Sequence, residues 1–136
     1  MTLVDSNVLI DIWTDDPQWY DWSLTRLNEA GRSGPLLIND IIYAEASIRF
    51  RSMDDFDAAL AEAGVTVTAI PKMALFLAGK AFAQYRNAGG TRTGVLPDFF
   101  IGAHADLERL PLLTRDVPRY RYYFPTVELI APDAEE

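Results

Sequence analysis

Apolar positions along this chain fall into two alternating patterns. Five short runs, Thr2 to Val4, Leu36 to Ile38, Val65 to Ile70, Leu112 to Thr114 and Val127 to Ile130, are strand candidates, and four of them are nearly continuous in apolar or β-branched residues. Runs without polar alternation suit strands buried on both faces, as in a parallel sheet covered by helices. Stretches with helical spacing fill every gap but the last. This order predicts an α/β fold, a three-layer α/β/α sandwich around a central, mainly parallel five-stranded sheet with right-handed crossovers.

Capping and breaking residues place the helices. Asp16 followed by Pro17 reads as the N-cap and first turn of a helix ending near Gly31. Asn39 caps a helix through Phe50, and Ser52 or Asp54 opens another that stops at Gly64. The helix from Lys72 to Ala88 carries Met73, Leu75, Phe76, Leu77, Phe82 and Tyr85 over a wide arc, so it is either central or half covered by a partner. Asn87 to Pro97, with Gly89, Gly90 and Gly94, reads as a loop, and Asp98 as the N-cap of a helix from Phe99 to Leu107. No linker or repeat interrupts the order, which implies one domain over residues 1–132 and an acidic tail at 133–136.

Composition narrows the chemistry. With 136 residues, 49% of them hydrophobic and 24% charged, the chain has the material for one sizeable core. No apolar stretch reaches the length of a membrane span and the amino terminus runs straight into a strand, so a cytoplasmic protein without a signal peptide is expected. The absence of Cys excludes disulfides, thiolate catalysis and Cys-based zinc sites, and a single His argues against structural zinc.

The formal net charge of −8 runs against a nucleic-acid partner, because phosphate binding is carried mostly by Lys and Arg. Between Lys80 and Arg121, however, seven basic residues (Lys80, Arg86, Arg92, Arg109, Arg115, Arg119, Arg121) outnumber four acids (Asp98, Asp106, Glu108, Asp116). The remaining negative charge, in Asp11, Asp15, Asp16 and Asp21 and again in Asp54, Asp55 and Asp57, is expected at solvated helix starts.

Four acids stand apart from those runs. Asp5 closes the first strand, Glu45 sits on the Asn39 helix in line with Ile41 and Ile48, Asp98 opens a helix, and Asp116 follows the fourth strand. In open α/β folds such positions converge at the carboxyl edge of the sheet. Converging carboxylates need cations, and hard oxygen ligands suit Mg²⁺ or Mn²⁺, a combination used to cleave phosphodiesters. Each acid also has a plainer role available: N-cap for Asp5 and Asp98, an ion pair with Arg49 for Glu45, a turn for Asp116. Asn7 and Thr114 are supporting candidates, through an amide or hydroxyl turned toward Asp5 and Asp116. His104, flanked by Ile101 and Leu107, reads as a packed helical histidine, and Trp13, Trp19, Tyr20 and Trp22 as core. The segment Arg119 to Phe124 either stacks bases or packs over the sheet edge.

The matching segments Leu3 to Asp11, Tyr43-Ala44-Glu45, Leu96 to Ala105 and Leu113 to Asp116 together resemble the PIN-domain ribonucleases, and among them the VapC-like toxins of prokaryotic toxin–antitoxin pairs. The resemblance covers nearly the whole chain. It implies a PIN-like parallel sheet, a homodimer, Mg²⁺ or Mn²⁺, cleavage of RNA and neutralisation by a small cognate antitoxin. Residue by residue it places the acidic quartet on Asp5, Glu45, Asp98 and Asp116, with Asn7 and Thr114 in support. Arg86, Arg92 and Arg115 are candidates for holding RNA. Two rivals remain, a catalytically silent PIN-like binding module and an aspartyl-nucleophile phosphatase, the latter wanting a second Asp where Asn7 stands.

Overall fold

Strand β1 (Thr2–Val4) lies in the middle of a five-stranded sheet of order β3-β2-β1-β4-β5 in which every neighbouring pair is parallel. The structure is a computed structural model that describes residues 1–92 and 94–132; the acidic tail at 133–136 lies outside the described residues. From β1 the chain runs through α1 (Ser6–Trp13) and α2 (Tyr20–Ser33) to β2 (Leu36–Asn39), then through α3 (Asp40–Ser47) and α4 (Met53–Glu62) to β3 (Val65–Thr68). It crosses back over β1 through α5 (Lys72–Asn87) and α6 (Leu96–Glu108) to β4 (Leu112–Leu113), and α7 (Pro118–Tyr123) leads to β5 (Leu129–Ile130). Strand order therefore reverses between β1 and β4, and the crevice outside the carboxyl ends of strands at such a switch is where open α/β sheets bind ligands.

Burial explains why these short segments are strands at all. Leu3, Val4, Leu112, Leu113 and Ile38 are fully buried, as continuous apolar strands must be when helices cover both faces of a sheet. Helix α6 is deeply embedded, with Phe99 and Ile101 to Ala105 all buried. Gly102 lets it close on the chain's last helical turn: a Cβ there would stand 2.3 Å from the buried ring of Phe124.

Helix limits depart from expectation in four places. The side chain of Asp16 accepts from the N–H groups of Gln18 and Trp19, but regular helix begins only at Tyr20. Asn39 caps α3 through Ile41 and Ile42 as expected, and Ser52 rather than Asp54 caps α4 through Asp55. Helix α3 stops at Ser47, short of Phe50, which leaves Ile48 exposed; the apolar stripe expected around Glu45 is thus missing on that side. Helix α6 begins at Leu96 with Pro97 in its first turn, so Asp98 lies inside the helix and is not its cap. The gap before β5, expected to lack helix, contains α7, started by Pro118.

Helix α5 resolves its two readings in favour of a half-covered face. Small residues, Ala74 and Ala78, point inward and allow close approach to α6, whereas Met73, Leu75, Phe76 and Leu77 are exposed. The ammonium of Lys80 lies 5.0 Å from the centre of the Phe76 ring.

Candidate active site

The end of β1 builds the first wall of the switch-point crevice. Asp5 has extended backbone angles and caps α1, its Oδ1 accepting the Ser6 N–H at 2.8 Å. Its other oxygen, Oδ2, accepts from Thr114 Oγ1 at 2.9 Å, Tyr120 Oη at 3.0 Å and Asn7 Nδ2 at 3.3 Å. The capping reading and a role in the crevice are therefore compatible, because among the described residues Oδ1 accepts only the Ser6 N–H and keeps a lone pair free. Burial pushes the Asp5 carboxyl up to about 6, with the Glu45 charge adding to the rise and the Thr114, Tyr120 and Ser6 hydrogen bonds opposing it.

Asn7 and Thr114 do the work of joining β1 to the end of β4. The Asn7 amide nitrogen also reaches Thr114 Oγ1 at 3.2 Å, and its oxygen accepts the Arg115 N–H at 3.2 Å. Thr114 Oγ1 in turn accepts the Asp116 N–H at 3.1 Å, which sets the turn on which the exposed Asp116 side chain stands.

Two helices bring the remaining acids. Glu45 on α3 accepts from Ser6 Oγ at 3.0 Å, and burial raises its carboxyl, with a further push from the Asp98 charge. Among the described residues it makes no ion pair with Arg49, which is exposed. Asp98 on α6 is raised to about 6 by burial and then by the Asp5 and Asp116 charges, against the lowering effect of Arg119. The four acids singled out from the sequence thus share one electrostatic neighbourhood. Among the described residues, however, no group of three acidic or histidine side chains is drawn tightly enough to grip one ion as it stands.

Helix α7 supplies two residues that the sequence reading did not assign to this site. Tyr120, fully buried, donates to Asp5 and lies 3.4 Å from Asp98 Oδ1, while Arg119 Nη1 is paired with Asp98 Oδ2. The Tyr120 phenol is held well above its usual range by burial and by the charges of Asp5, Asp98 and Asp116, so it keeps its proton. The available signal was its place, four residues after Asp116 behind Pro118, within a helix of only six residues.

Arg115 does not face the acids. Its Nε and Nη2 bind the two oxygens of Asp11 at 2.7 and 2.8 Å, and its guanidinium lies 5.5 Å from the centre of the Trp19 ring. Asp11 is buried and also accepts from Ser23 Oγ at 2.8 Å, so this acid, expected in solvent, is half of an internal ion pair. Arg86 and Arg92 are exposed, on the last turn of α5 and in the loop beyond it. His104 is packed as expected: the Asn39 amide, oriented by its capping oxygen, donates to Nδ1, which leaves the proton on Nε2 for Glu108 at 2.9 Å.

The PIN domain profile matches residues 2–124. The chain belongs to the PIN-domain family. Solved structures similar to this PIN domain include VapBC2 from Rickettsia felis bound to a DNA fragment from its promoter (TM-score 0.71, 16% identity, 97% of this chain and 98% of that one). A DNA-bound VapBC from Salmonella typhimurium gives a TM-score of 0.68 at 17% identity, covering 96% of this chain and 98% of the other. A toxin–antitoxin complex from Klebsiella pneumoniae gives 0.62 at 22% identity, covering 93% and 95%. At these identities the likeness establishes the fold. No curated protein matches the sequence.

Proposed function

We propose that this PIN domain is a Mg²⁺- or Mn²⁺-dependent endoribonuclease, the toxin of a pair neutralised by a cognate antitoxin. The observation that carries the proposal is the electrostatic pressure on Asp5, Glu45 and Asp98 at the switch point of a PIN sheet, each raised by burial and then by a neighbouring acid's charge, that of Asp116 among them. Pressure of that kind is relieved by a hard cation, and the donors are all oxygen. Mg²⁺ commonly takes one or two carboxylates and keeps several waters, so Asp5 and Asp98, the two acids beside the Tyr120 hydroxyl, suit it without a third protein ligand.

In this reading Asp5 would offer Oδ1, since Oδ2 is fixed by three donors, and Asp98 would be the second carboxylate to hold the ion. Glu45 orients the attacking water and receives its proton, and Asp116 acts through solvent. A bound divalent ion supplies Lewis acidity for in-line attack of water on phosphorus. RNA is the substrate class that goes with the family resemblance, and Arg86 and Arg92 are the exposed cations proposed to hold it.

The similar structures are complexes, and a groove of about 600 Å³ between α1, α2, α4 and the segment that follows α3 offers a seat for an antitoxin segment. Ile12, Trp13, Leu27 and Phe50 line it, with the Trp13 and Phe50 rings edge to face at 5.1 Å. An arginine from that partner, directed at the carboxylates, would complete the block. A homodimer through the exposed arc of α5 and a cytoplasmic location belong to the same proposal.

The Arg119–Asp98 pair favours one second reading, a catalytically silent binding module. Incubating the purified protein with total RNA, with and without Mg²⁺ or Mn²⁺, and mapping the cut ends separates the two. Metal-dependent cleavage that is lost in Asp98→Asn supports the nuclease, and its absence from the wild type supports the module.

A further inference from the structure

Arg119 and Arg115 are four residues apart, and the crevice treats them differently. Arg115 is bound through two nitrogens to a buried carboxylate and lies against an indole ring. Such a guanidinium is fixed. Arg119 commits a single nitrogen, Nη1, to Asp98, and among the described residues its side chain makes no other hydrogen bond. Both members of this pair keep access to solvent, at 18% and 22% exposure. Its backbone, by contrast, is anchored, because the next residue is the fully buried Tyr120. A long side chain on a fixed base, held at one point beside open solvent, can change partner without any movement of the fold.

Its present partner is a proposed metal ligand. A divalent ion and the guanidinium would compete for Asp98 Oδ2, and no other Arg or Lys pairs with the four acids among the described residues. Resting on the nuclease reading, we propose that Arg119 is a further catalytic residue that exchanges partners: it neutralises Asp98 when the site is free of metal, and it grips an RNA phosphate once a metal has taken Asp98. The released guanidinium remains at the rim of the acid site, where the phosphodiester must lie for the acids to act on it. Its planar fork matches two phosphate oxygens.

Two binding measurements test this without relying on turnover. Calorimetric titration of Mn²⁺ into wild type, Arg119→Gln and Arg119→Lys, each checked for an unchanged melting profile, reads the first half. Arg119→Gln should bind Mn²⁺ several-fold more tightly, because a partly exposed ion pair is a weak competitor, and Arg119→Lys should stay near wild type. The second half is read with a short oligouridylate in Ca²⁺, its integrity checked on a denaturing gel. Arg119→Gln should bind it more weakly, and the slope of log affinity against log salt should fall by about one. Unchanged or weaker Mn²⁺ binding by Arg119→Gln overturns the exchange and makes Arg119 a tie between α7 and α6. An unchanged salt slope overturns the phosphate contact. Folded wild-type protein that binds no Mn²⁺, with Asp98→Asn behaving identically, would instead bring down the metal-site reading beneath both.

Discussion

Tyr120 stands between Asp5 and Asp98, its hydroxyl 3.0 Å from an oxygen of the first carboxylate and 3.4 Å from an oxygen of the second. A neutral phenol does there part of what a cation would do, donating a hydrogen bond to an acid that burial makes costly to ionise. The carboxyl ends of β1 and α6's first turn are thereby joined through a residue from the last helix.

Tyr120→Phe keeps the ring that fills the core and removes only the donor. Asp5 loses one of the hydrogen bonds that lower its carboxyl, so it should titrate higher still. The expected stability loss at neutral pH is about 1–2 kcal/mol, measured by urea unfolding. Metal-dependent RNA cleavage should fall with it, because Asp5 is then less charged and less rigidly placed. A variant as stable and as active as wild type would show that the phenol only fills space.

Stability without metal should fall as pH rises. Asp5 and Asp98 are both raised to about 6 in the folded protein, so the folded state holds protons that the unfolded chain releases near pH 4. Their contribution is full below the unfolded value and is lost as pH climbs through about 6. The two titrate as a coupled pair, and the expected loss in EDTA is about 2–4 kcal/mol in total. Asp98→Asn should flatten that slope and stabilise the metal-free protein at neutral pH while abolishing cleavage. Urea midpoints at mildly acid and neutral pH, for wild type and variant, check both outcomes.

Gly102→Ala should destabilise the fold by about 1–3 kcal/mol, since the new methyl would enter the space of the Phe124 ring at 2.3 Å and that ring is buried. Thermal melting reads the loss directly. Truncating the ring in a Gly102→Ala, Phe124→Leu double variant should recover part of it, which a purely helical propensity effect would not allow.

Arg115→Met should act on stability and leave the acids alone. It strands the buried Asp11 carboxylate with only Ser23 as partner, at an expected cost of about 1–3 kcal/mol given that Arg115 is itself partly exposed. RNA cleavage, assayed below the melting transition, should be within a factor of about two of wild type. A large drop in RNA affinity would return Arg115 to the substrate surface.

The sheet was legible in the sequence because its strands are buried on both faces and therefore lack polar interruptions, as Leu3-Val4 and Leu112-Leu113 illustrate. Asp5 and Asp116 could be placed near the sheet edge because each follows a strand candidate. What escaped was set by tertiary contact. Asp11 looks like any acid on an early helix until Arg115, distant in the chain, folds over it. Pro97 could as well have ended a loop as started α6, which is why Asp98 was misread as a cap. Tyr120 sits among five other aromatic or basic residues in Arg119 to Phe124, and nothing local separates the one that turns toward Asp5 and Asp98.

The bonds that fix Asp5 reach very far along the chain: Thr114 is 109 positions away and Tyr120 is 115. Contacts of such separation form late in folding, after the loop-closing entropy of the intervening helices has been overcome. During synthesis the first acid leaves the ribosome long before the residues that hold it. A nascent chain stopped between Asp98 and Pro118 has Asp5, Glu45 and Asp98 but lacks Tyr120, whose hydroxyl lies between the first and the last of them. Whatever this crevice does, its full set of hydrogen bonds exists only once Tyr120 has joined the fold, so a message interrupted before that residue yields a fragment without them.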